Sequence, residues 1–493
     1  MAKTRRENQL PNYTALKTKF GHIIILLCVA LNAQAWNWWP LPMAEPDNNR
    51  DTLWYVGGVR AVSSSGAQAP SLFWHNSDGE IANLPHSGNI QLGIVKPATR
   101  PNRWFDYDFG VVLSGRVAGS QASVTPKTID GTGYFSQLYA HVRLYIVDVT
   151  AGITPMRLDA GDSELSSGHL LFSPNAHPIP RISIGFERWT PFPGLFGYVE
   201  VKGGLTHGWL GDNSTVVKGT LLHHKYVGGR LGGKLPVNIS YEFHHVAQWG
   251  GYSTKYGDLG NDWKAYKAAF FAKAGGSMAN DQINAQGNHI AMQQLALDVK
   301  GEGWKVSAYW QTMSEDGPIR FLWNSMDAKD GLWGVSATQI RWPFIQGFTY
   351  ELLHTTDQHG PFHDKDGVIY GGGDGYYGNS IYPQGWSYFG RVIGSPLLQI
   401  GTNNRVMAHH VGVKGDIYGY RYRVMVNHAD NYGTYSRPNR THNTAILLEV
   451  KKIVPQAWNL EFGVSLAGDF GDQYGNSFGA MVTIRKQGII TSW

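Results

Sequence analysis

Residues 237–245 read Val-Asn-Ile-Ser-Tyr-Glu-Phe-His-His, and apolar and polar side chains alternate along them. The apolar positions are Val237, Ile239, Tyr241 and Phe243, and the residues between them are polar. Because successive side chains of an extended chain point to opposite faces, this period of two predicts a β-strand with one apolar and one polar face. The stretch therefore predicts a β-sheet, and the number of times its alternating pattern recurs along the chain predicts the number of strands.

The same alternation recurs as far as the C-terminus. A hairpin is predicted over Leu295–Thr312, where two alternating runs flank Gly301-Glu302-Gly303. Further candidate strands are Phe135–Val147, Gly197–Leu205, Tyr418–His428, Ala445–Val450, Leu460–Ala467 and Phe478–Ile484. One series of such strands, continuing to the C-terminus, indicates a single all-β unit.

The N-terminus has the features of an export signal. A basic stretch is followed by the apolar run Ile23–Leu31 and by Ala33-Gln34-Ala35, an A-x-A cleavage site. We predict a signal peptide over residues 1–35, a short periplasmic lead over 36–50, and the folded unit over 51–493. The single cysteine, Cys28, lies in the signal, so disulfides and thiolate metal sites are excluded from the mature chain.

Composition supports a sheet that does not face water everywhere. Only 16% of the residues are charged while 13% are aromatic, whereas an average soluble domain has about 25% charged residues. Beyond the signal, the sequence has no apolar stretch of about 18 residues, so a membrane protein of this sequence has to be a closed barrel. A soluble sandwich is the alternative, and the export signal and the aromatic strand ends disfavour it. We predict a transmembrane antiparallel β-barrel in the outer membrane of a Gram-negative cell.

Two long segments interrupt the strand series, near residues 255–292 and 355–394. Asn261–Ala274 has a helical pattern, with Asn261 as its predicted N-cap and Gly275 as its stop. Long loops of bacterial barrels face the outside of the cell. Both segments are therefore predicted to be extracellular loops that carry short helices or a plug.

Motifs for catalysis are absent from the sequence, so we predict no enzyme and no cofactor. The histidine pairs such as His223-His224 and His244-His245 point to opposite faces of a strand and cannot together bind one metal ion. Most of the net charge of +5 falls in the first 35 residues, which argues against a nucleic-acid partner.

Two sets of candidate site residues follow from loop and strand chemistry. Aromatic rings flanked by amide, carboxylate and guanidinium groups suit sugar rings and their hydroxyls. This predicted polysaccharide-binding set is Trp249, Trp323, Asp330, Trp333, Asp374, Tyr376, Tyr377, Trp386 and Arg391. Aromatic girdles of barrels use the same residue types, so a structural role is the alternative. Predicted lumen residues are Arg143, Lys305, Arg421 and Arg423.

Several short blocks, in their order and spacing, resemble the capsule assembly protein Wzi family in its Bacteroidetes form. They are Leu165-Ser166-Ser167-Gly168, Asn175-Ala176, Pro178-Ile179-Pro180, His207-Gly208-Trp209, Gln248-Trp249-Gly250-Gly251, Gln282-Ile283-Asn284, Gly287-Asn288-His289, Glu315-Asp316-Gly317, Asp330-Gly331-Leu332-Trp333-Gly334, Gly385-Trp386 and Gly390-Arg391-Val392-Ile393-Gly394. They cover nearly all of the mature chain.

The resemblance implies an outer-membrane barrel of about 18 strands. It also implies a non-enzymatic surface lectin that anchors capsular or other exported polysaccharide. The implied partners are that polysaccharide, outer-membrane lipid and the barrel-assembly machinery. The alternative is a porin-like channel for small polar solutes, which the basic residues predicted to line the lumen suggest.

Overall fold

The computed structural model describes residues 51–98, 104–120, 128–212, 216–272, 287–315, 329–358, 363–365, 368–370 and 375–493. The predicted signal peptide and periplasmic lead lie outside these residues. So do Trp323 and Asp374 of the predicted polysaccharide-binding set.

Within the described residues, eighteen strands in one sheet are labelled β1 to β18 in chain order. They are Thr52–Ser64 (β1), His86–Lys96 (β2), Phe105–Gly119 (β3), Ile129–Leu144 (β4), Val147–Ile153 (β5), Pro180–Pro191 (β6), Val199–Gly211 (β7), Thr220–Leu231 (β8), Val237–Trp249 (β9), Asn288–Gly301 (β10), Trp304–Glu315 (β11), Gly331–Thr338 (β12), Gly347–His354 (β13), Val406–Ile417 (β14), Tyr420–Gly433 (β15), Pro438–Val454 (β16), Leu460–Gly471 (β17) and Ser477–Ser492 (β18).

The sheet closes on itself. Each strand pairs antiparallel with the next one in the chain, and β1 pairs antiparallel with β18 from Thr52 opposite Ser492 to Ser64 opposite Gly479. Closure leaves no edge strand, which is the condition for a sheet to cross a bilayer. The fold prediction, a closed antiparallel barrel of 18 strands, is confirmed.

The two faces of the wall follow the alternation in the sequence. On β9, Ile239 points outward with 50% of its surface exposed, whereas Asn238 points inward and is 1% exposed. The neighbouring strand repeats the pattern, with Val227 outward and Tyr226 inward. The outward apolar face of a closed barrel faces lipid, so the protein lies in the outer membrane. None of the helices in the described ranges is long and apolar enough to cross a membrane.

The two ends of the barrel differ in the length of their connections. At one end, β4 and β5 are joined by two residues, as are β10 and β11 and also β14 and β15. The last of these turns is Tyr418-Gly419, and both residues have a positive φ, as the primed hairpin turns require. We call this the turn end. The opposite, loop end bears the long connections and faces the outside of the cell.

The loop end also carries short helices and strands. In the part of the chain that the structure describes, its helices are α1 (Ser71–Trp74) and α2 (Trp263–Phe271). The short strands are Val217–Lys218, Tyr252–Ser253, Gly257–Asp258, His363–Lys365, Val368–Tyr370, Ser387–Tyr388 and Arg391–Val392. At the turn end a 3-10 helix covers Pro455–Ala457.

The predicted helix in the first long loop exists but is shorter than the sequence suggested. Its N-cap is Asp262, whose side chain accepts a hydrogen bond from the backbone N–H of Ala265 at 2.8 Å. The side chain of Asn261 instead accepts from the N–H of Gly251 at 2.7 Å. The helix ends at Phe271, and its C-cap Ala272 adopts a left-handed conformation, ahead of the predicted stop at Gly275. The sequence offered two adjacent capping residues, and the turn at Gly251 takes the first.

Candidate functional site

The lumen is partly filled by three segments from the loop end, which we call the plug. They are residues 65–85, 154–179 and 375–405. Leu170, Leu171 and Phe172 of the second segment pack with Trp386 of the third in one buried apolar cluster. The indole N–H of Trp386 donates to the carbonyl of Leu171 at 2.8 Å, and its ring lies 5.8 Å from that of Phe172. The same cluster includes inward side chains of the wall such as Ile290 and Leu332.

Buried carboxylates of the wall hold the plug in place. The carboxylate of Glu351 accepts hydrogen bonds from the hydroxyls of Ser166 and Ser167, at 2.8 and 2.6 Å, and from the Ser167 N–H at 2.6 Å. Glu315 accepts from the N–H of Tyr377 at 2.6 Å. Because the buried carboxylate of Glu351 accepts from several donors, its burial is compensated, and removing it leaves those donors unsatisfied.

The first plug segment is anchored on another part of the wall. The N–H and hydroxyl of Ser71, at the start of α1, donate to the carboxylate of Asp469 on β17 at 2.6 and 2.7 Å. Phe73 packs among inward apolar side chains of the wall, including Met425 and Leu447.

A cavity of about 900 Å³ lies on the loop-end side of the plug, and we call it the vestibule. Its charged groups include Arg116, which is paired with Asp130 at 2.9 Å, and Arg391. Arg391 donates to the carbonyls of Trp74 and Ile81. Burial lowers the pKa of Arg391 to about 10, so it remains charged at neutral pH.

Two further cavities lie on the turn-end side. One, of about 250 Å³, is lined by Lys414, Arg421, Arg423, Glu449 and Lys451. The other, of about 360 Å³, is lined by charged residues that include Arg181, Glu187, Lys202 and Glu242. Both cavities are therefore lined by charges of both signs.

An ion pair joins two plug segments beside the turn-end cavities. A guanidinium nitrogen of Arg157 donates to both carboxylate oxygens of Asp78 at 2.7 Å. Two small cavities of about 20 and 30 Å³ adjoin the pair, and both turn-end cavities reach Arg157. His177 lines both the vestibule and the smaller of these. Burial and the nearby Arg391 lower the pKa of His177 to about 3, so its ring is neutral there.

The chain reaches this point through an unusual backbone turn. Asn76 and Asp78 have φ values of +53° and +52°, and Gly79 has +71°. A Cβ on Gly79 would lie 2.7 Å from the ring of His177 and 2.9 Å from its backbone nitrogen, so only glycine fits. The turn thereby presents the Asp78 carboxylate to Arg157.

The four predicted lumen residues all lie on inward-facing strand positions. Arg143 contacts Asp148 at 2.8 Å, Lys305 contacts Asp298 at 3.1 Å, and Arg423 contacts Glu449 at 3.2 Å. Arg421 lines the smaller turn-end cavity. The cations are thus interleaved with acids that the sequence prediction did not select.

The structure places the predicted polysaccharide-binding residues in several separate environments. Tyr376, Tyr377 and Trp386 are buried in the plug, so their ring faces are covered. Asp330 is buried and accepts from the hydroxyl of Tyr376 at 2.8 Å. Arg391 lines the vestibule.

The remaining two lie on the outer wall. Trp333 points outward on β12 and stacks on Trp310, with 4.8 Å between ring centroids. Trp249 is buried against α2. These side chains are therefore not brought together into one surface.

Sequence reasoning missed Asp78 and Arg157. They lie in different loops, and neither belongs to a motif. The one local signal was the turn-forming run Asn76-Ser77-Asp78-Gly79, which predicts a tight turn but not its partner.

Comparison with known proteins finds no matching family model and no matching curated protein. Similar solved structures include OccK7 of Pseudomonas aeruginosa, with 9% identity over 90% of this chain and 100% of that chain and a TM-score of 0.48. A BenF-like porin from Pseudomonas fluorescens Pf-5 gives 10% identity over 89% and 99%, with a TM-score of 0.45. OprD of Pseudomonas aeruginosa gives 11% identity over 90% and 96%, with a TM-score of 0.42.

These findings contradict the resemblance to the capsule assembly protein Wzi family. No model of any family matches the chain, and the similar solved structures include a protein titled as a porin. The prediction of a capsule assembly protein, and with it that of a surface lectin anchoring polysaccharide, is wrong.

The physical reason for that error lies in the blocks that carried the resemblance. Ser166 and Ser167 bind Glu351, and Gly394 lies so close to the plug that an added Cβ would be 2.1 Å from the carbonyl oxygen of Leu170. Gly250 and Gly251 both adopt positive φ where the chain turns beyond β9. These blocks hold the plug and the loops, which any plugged barrel requires, and so they do not specify a glycan.

Proposed function

We propose that the protein is a non-enzymatic channel for small polar solutes across the outer membrane. The observation that carries the proposal is the arrangement of the cavities. Both turn-end cavities are lined by Arg157, and His177 lines both the vestibule and a small cavity that Asp78 and Arg157 also line. The small cavity beside the pair lies between the vestibule and the turn-end cavities.

The chemistry of the lumen suits polar solutes. The turn-end cavities are lined by cations and acids in close pairs, such as Lys202 with Glu242 at 2.8 Å and Lys451 with Glu449 at 2.6 Å. Such pairs can exchange partners with a passing polar or charged solute, whereas an apolar solute would have to displace water from them without compensation.

The volume of the small cavities limits the size of the solute that can pass in this conformation. The two small cavities beside Asp78 and Arg157, of about 20 and 30 Å³, each hold roughly one water molecule. A solute larger than water therefore passes only when Asp78 and Arg157 separate.

Single-channel recording in planar bilayers tests the proposal. We expect the wild-type protein to conduct, and Arg157→Ala to conduct with a clearly larger unitary current because the side chain that closes the constriction is gone. Asp78→Asn should act in the same direction but more weakly, since it removes the charge and keeps the volume.

A matched control is the exposed pair of Arg341 and Glu302 at the turn end, 3.3 Å apart. Arg341→Ala should leave the unitary current unchanged. If neither the wild type nor Arg157→Ala conducts, and neither admits small sugars in a liposome-swelling assay, the protein is not a channel. If the wild type conducts and Arg157→Ala does not change the current, solutes take another route through the plug.

A further inference from the structure

Helix α2 packs against the outside of the barrel rather than over its mouth. Its buried residues Ala265 and Ala269 lie one turn apart and contact Ala247 and Trp249, which point outward from β9. Small side chains on both partners allow the helix axis to approach the wall closely.

The wall beneath the helix interrupts the lipid-facing apolar surface. The register of β7 to β10 places His207, His223, Ala247 and His289 side by side at one level. One level nearer the turn end, Leu205, Lys225, His245 and Ala291 lie side by side. Below these rows the outward residues of β8 are Val227, Gly229 and Leu231. We call the outward side chains His207, His223, Lys225, His245 and His289 the polar window.

The polar window lies at the height of the bilayer. Lys225 is six residues from the turn end of β8, or roughly 20 Å along the strand, which is roughly 15 Å of height for a strand tilted by about 40°. The apolar band of such barrels is about 25 Å tall. A lysine facing lipid near the middle of this band, with nothing covering it, destabilises a barrel.

Helix α2 covers this window. His223 and His245 are 0% and 2% exposed. The ammonium of Lys225 donates to the carbonyl of Phe270 in the last turn and lies 4.2 Å from the centroid of the Phe270 ring. The last carbonyls of a helix lack partners within the helix and carry its negative dipole end, so they suit a lysine ammonium. His245 and His289 also hydrogen-bond to each other at 3.0 Å.

The face of the helix that points away from the barrel combines apolar rings with charged groups. It exposes two aromatic rings, Trp263 at 68% and Phe271 at 59%, together with Lys264 and Lys267. Large exposed rings beside lysines are typical of helices at a membrane interface. The lysine stems can lie along apolar chains while their ammonium groups reach headgroup phosphates.

We propose that α2 is embedded in the outer leaflet of the membrane, as a cover over the polar window. Phe271 lies deeper than Trp263, because the last turn contacts Lys225 whereas the first turns contact Trp249 near the loop end. Lys264 and Lys267 bind the phosphates of surrounding lipids. The outward face of α2 is continuous with the lipid-facing wall of the barrel. The embedding of α2 in the membrane does not depend on whether the lumen conducts.

Site-specific labelling tests the depth of the helix. Cys28 is the only cysteine, so Cys28→Ser gives a cysteine-free background. Phe271→Cys and Trp263→Cys are labelled with an environment-sensitive fluorophore and placed in phosphatidylcholine–phosphatidylglycerol vesicles. We expect lipid-borne spin labels to quench both fluorophores, more strongly at 271, and aqueous iodide to quench neither. Asp258→Cys, an exposed position in the same loop, should show the reverse.

The proposal is wrong if iodide quenches positions 263 and 271 as strongly as position 258. Heat-modifiable migration in gels verifies that each variant is folded, and Lys267→Cys replaces any variant that is not. In a second measurement, Lys264→Glu combined with Lys267→Glu should weaken lipid quenching at 271 in vesicles that contain phosphatidylglycerol but not in phosphatidylcholine alone. An equal effect in both vesicles would rule out the phosphate contact.

Discussion

Two long loops leave the same end of the barrel and go to opposite sides of its wall. Residues 375–405 turn inward and bury Tyr376, Tyr377 and Trp386 in the lumen. The loop that follows β9 turns outward and places α2 on the lipid-facing surface, with Trp263 and Phe271 exposed. Both loops are rich in aromatic residues, and the same residue types end in opposite environments.

The contrast between the two loops indicates that the side chains of the wall, rather than the composition of a loop, determine whether the loop folds inside or outside the barrel. Inside, the wall offers the buried acceptors Glu315, Asp330 and Glu351 to donors of the plug. Outside, it offers Ala247 and the polar window, which a helix end can satisfy. Each loop therefore matches the polar groups that the barrel presents on the side where the loop folds.

The largest expected effect comes from paired tryptophan substitutions, one in each loop. Trp386→Ala should lower the free energy of unfolding by about 3–5 kcal/mol, because it opens a cavity in the plug and leaves the carbonyl of Leu171 without its donor. Trp263→Ala should change it by no more than about 0.5 kcal/mol in detergent, since the ring is exposed. Equilibrium denaturant unfolding of both variants checks this, and equal losses would refute the contrast between the loops.

A smaller effect is expected where α2 meets the wall. Ala269→Leu should cost about 1–3 kcal/mol, because the added methylenes have no room against Ala247. Lys267→Leu on the exposed face of the same helix is the matched control and should be nearly neutral. Thermal unfolding in a detergent without phosphate groups, where the proposed lipid contact of Lys267 is absent, distinguishes the two variants. Similar melting temperatures for both would mean that the helix is not packed as described.

The smallest expected effect is a pH dependence of the constriction. Burial raises the pKa of Asp78 above its usual range, although Arg157 opposes this shift. Protonation on acidification therefore begins at a higher pH than for an exposed aspartate, and the neutral carboxyl no longer holds Arg157. Glu80 and Arg485 also line the small cavity beside Asp78. Between about pH 7 and pH 4, the unitary current of the wild type should rise.

Asp78→Asn removes this titrating group and provides the control. Its current should already be higher at neutral pH and should change less on acidification. A wild-type current that is independent of pH, or a variant that responds as strongly as the wild type, would assign the constriction to other residues.

Much of the wall could be predicted from the sequence, and little of the plug. Arg143, Lys305, Arg421 and Arg423 were assigned to the inward face from alternation alone, and the structure places them there. The positions of Tyr376, Tyr377 and Trp386 could not be read in this way, because an aromatic ring in a loop suits a ligand site, a girdle and a buried core equally well. Asp78 and Arg157 lie far apart in the chain, so only the folded plug makes them a pair.

The sequence by itself determined the strands, their two faces and hence the closed barrel, because the period of two is a local property of each strand and a membrane permits no open sheet edge. Val237–Phe243 carries that information in its own side chains. Only the tertiary structure decided which loops fill the lumen, which one covers the outer wall, and where the lumen narrows. Those outcomes depend on contacts such as Glu351 with Ser167 and Lys225 with Phe270, which join residues distant in the chain and leave no local periodicity.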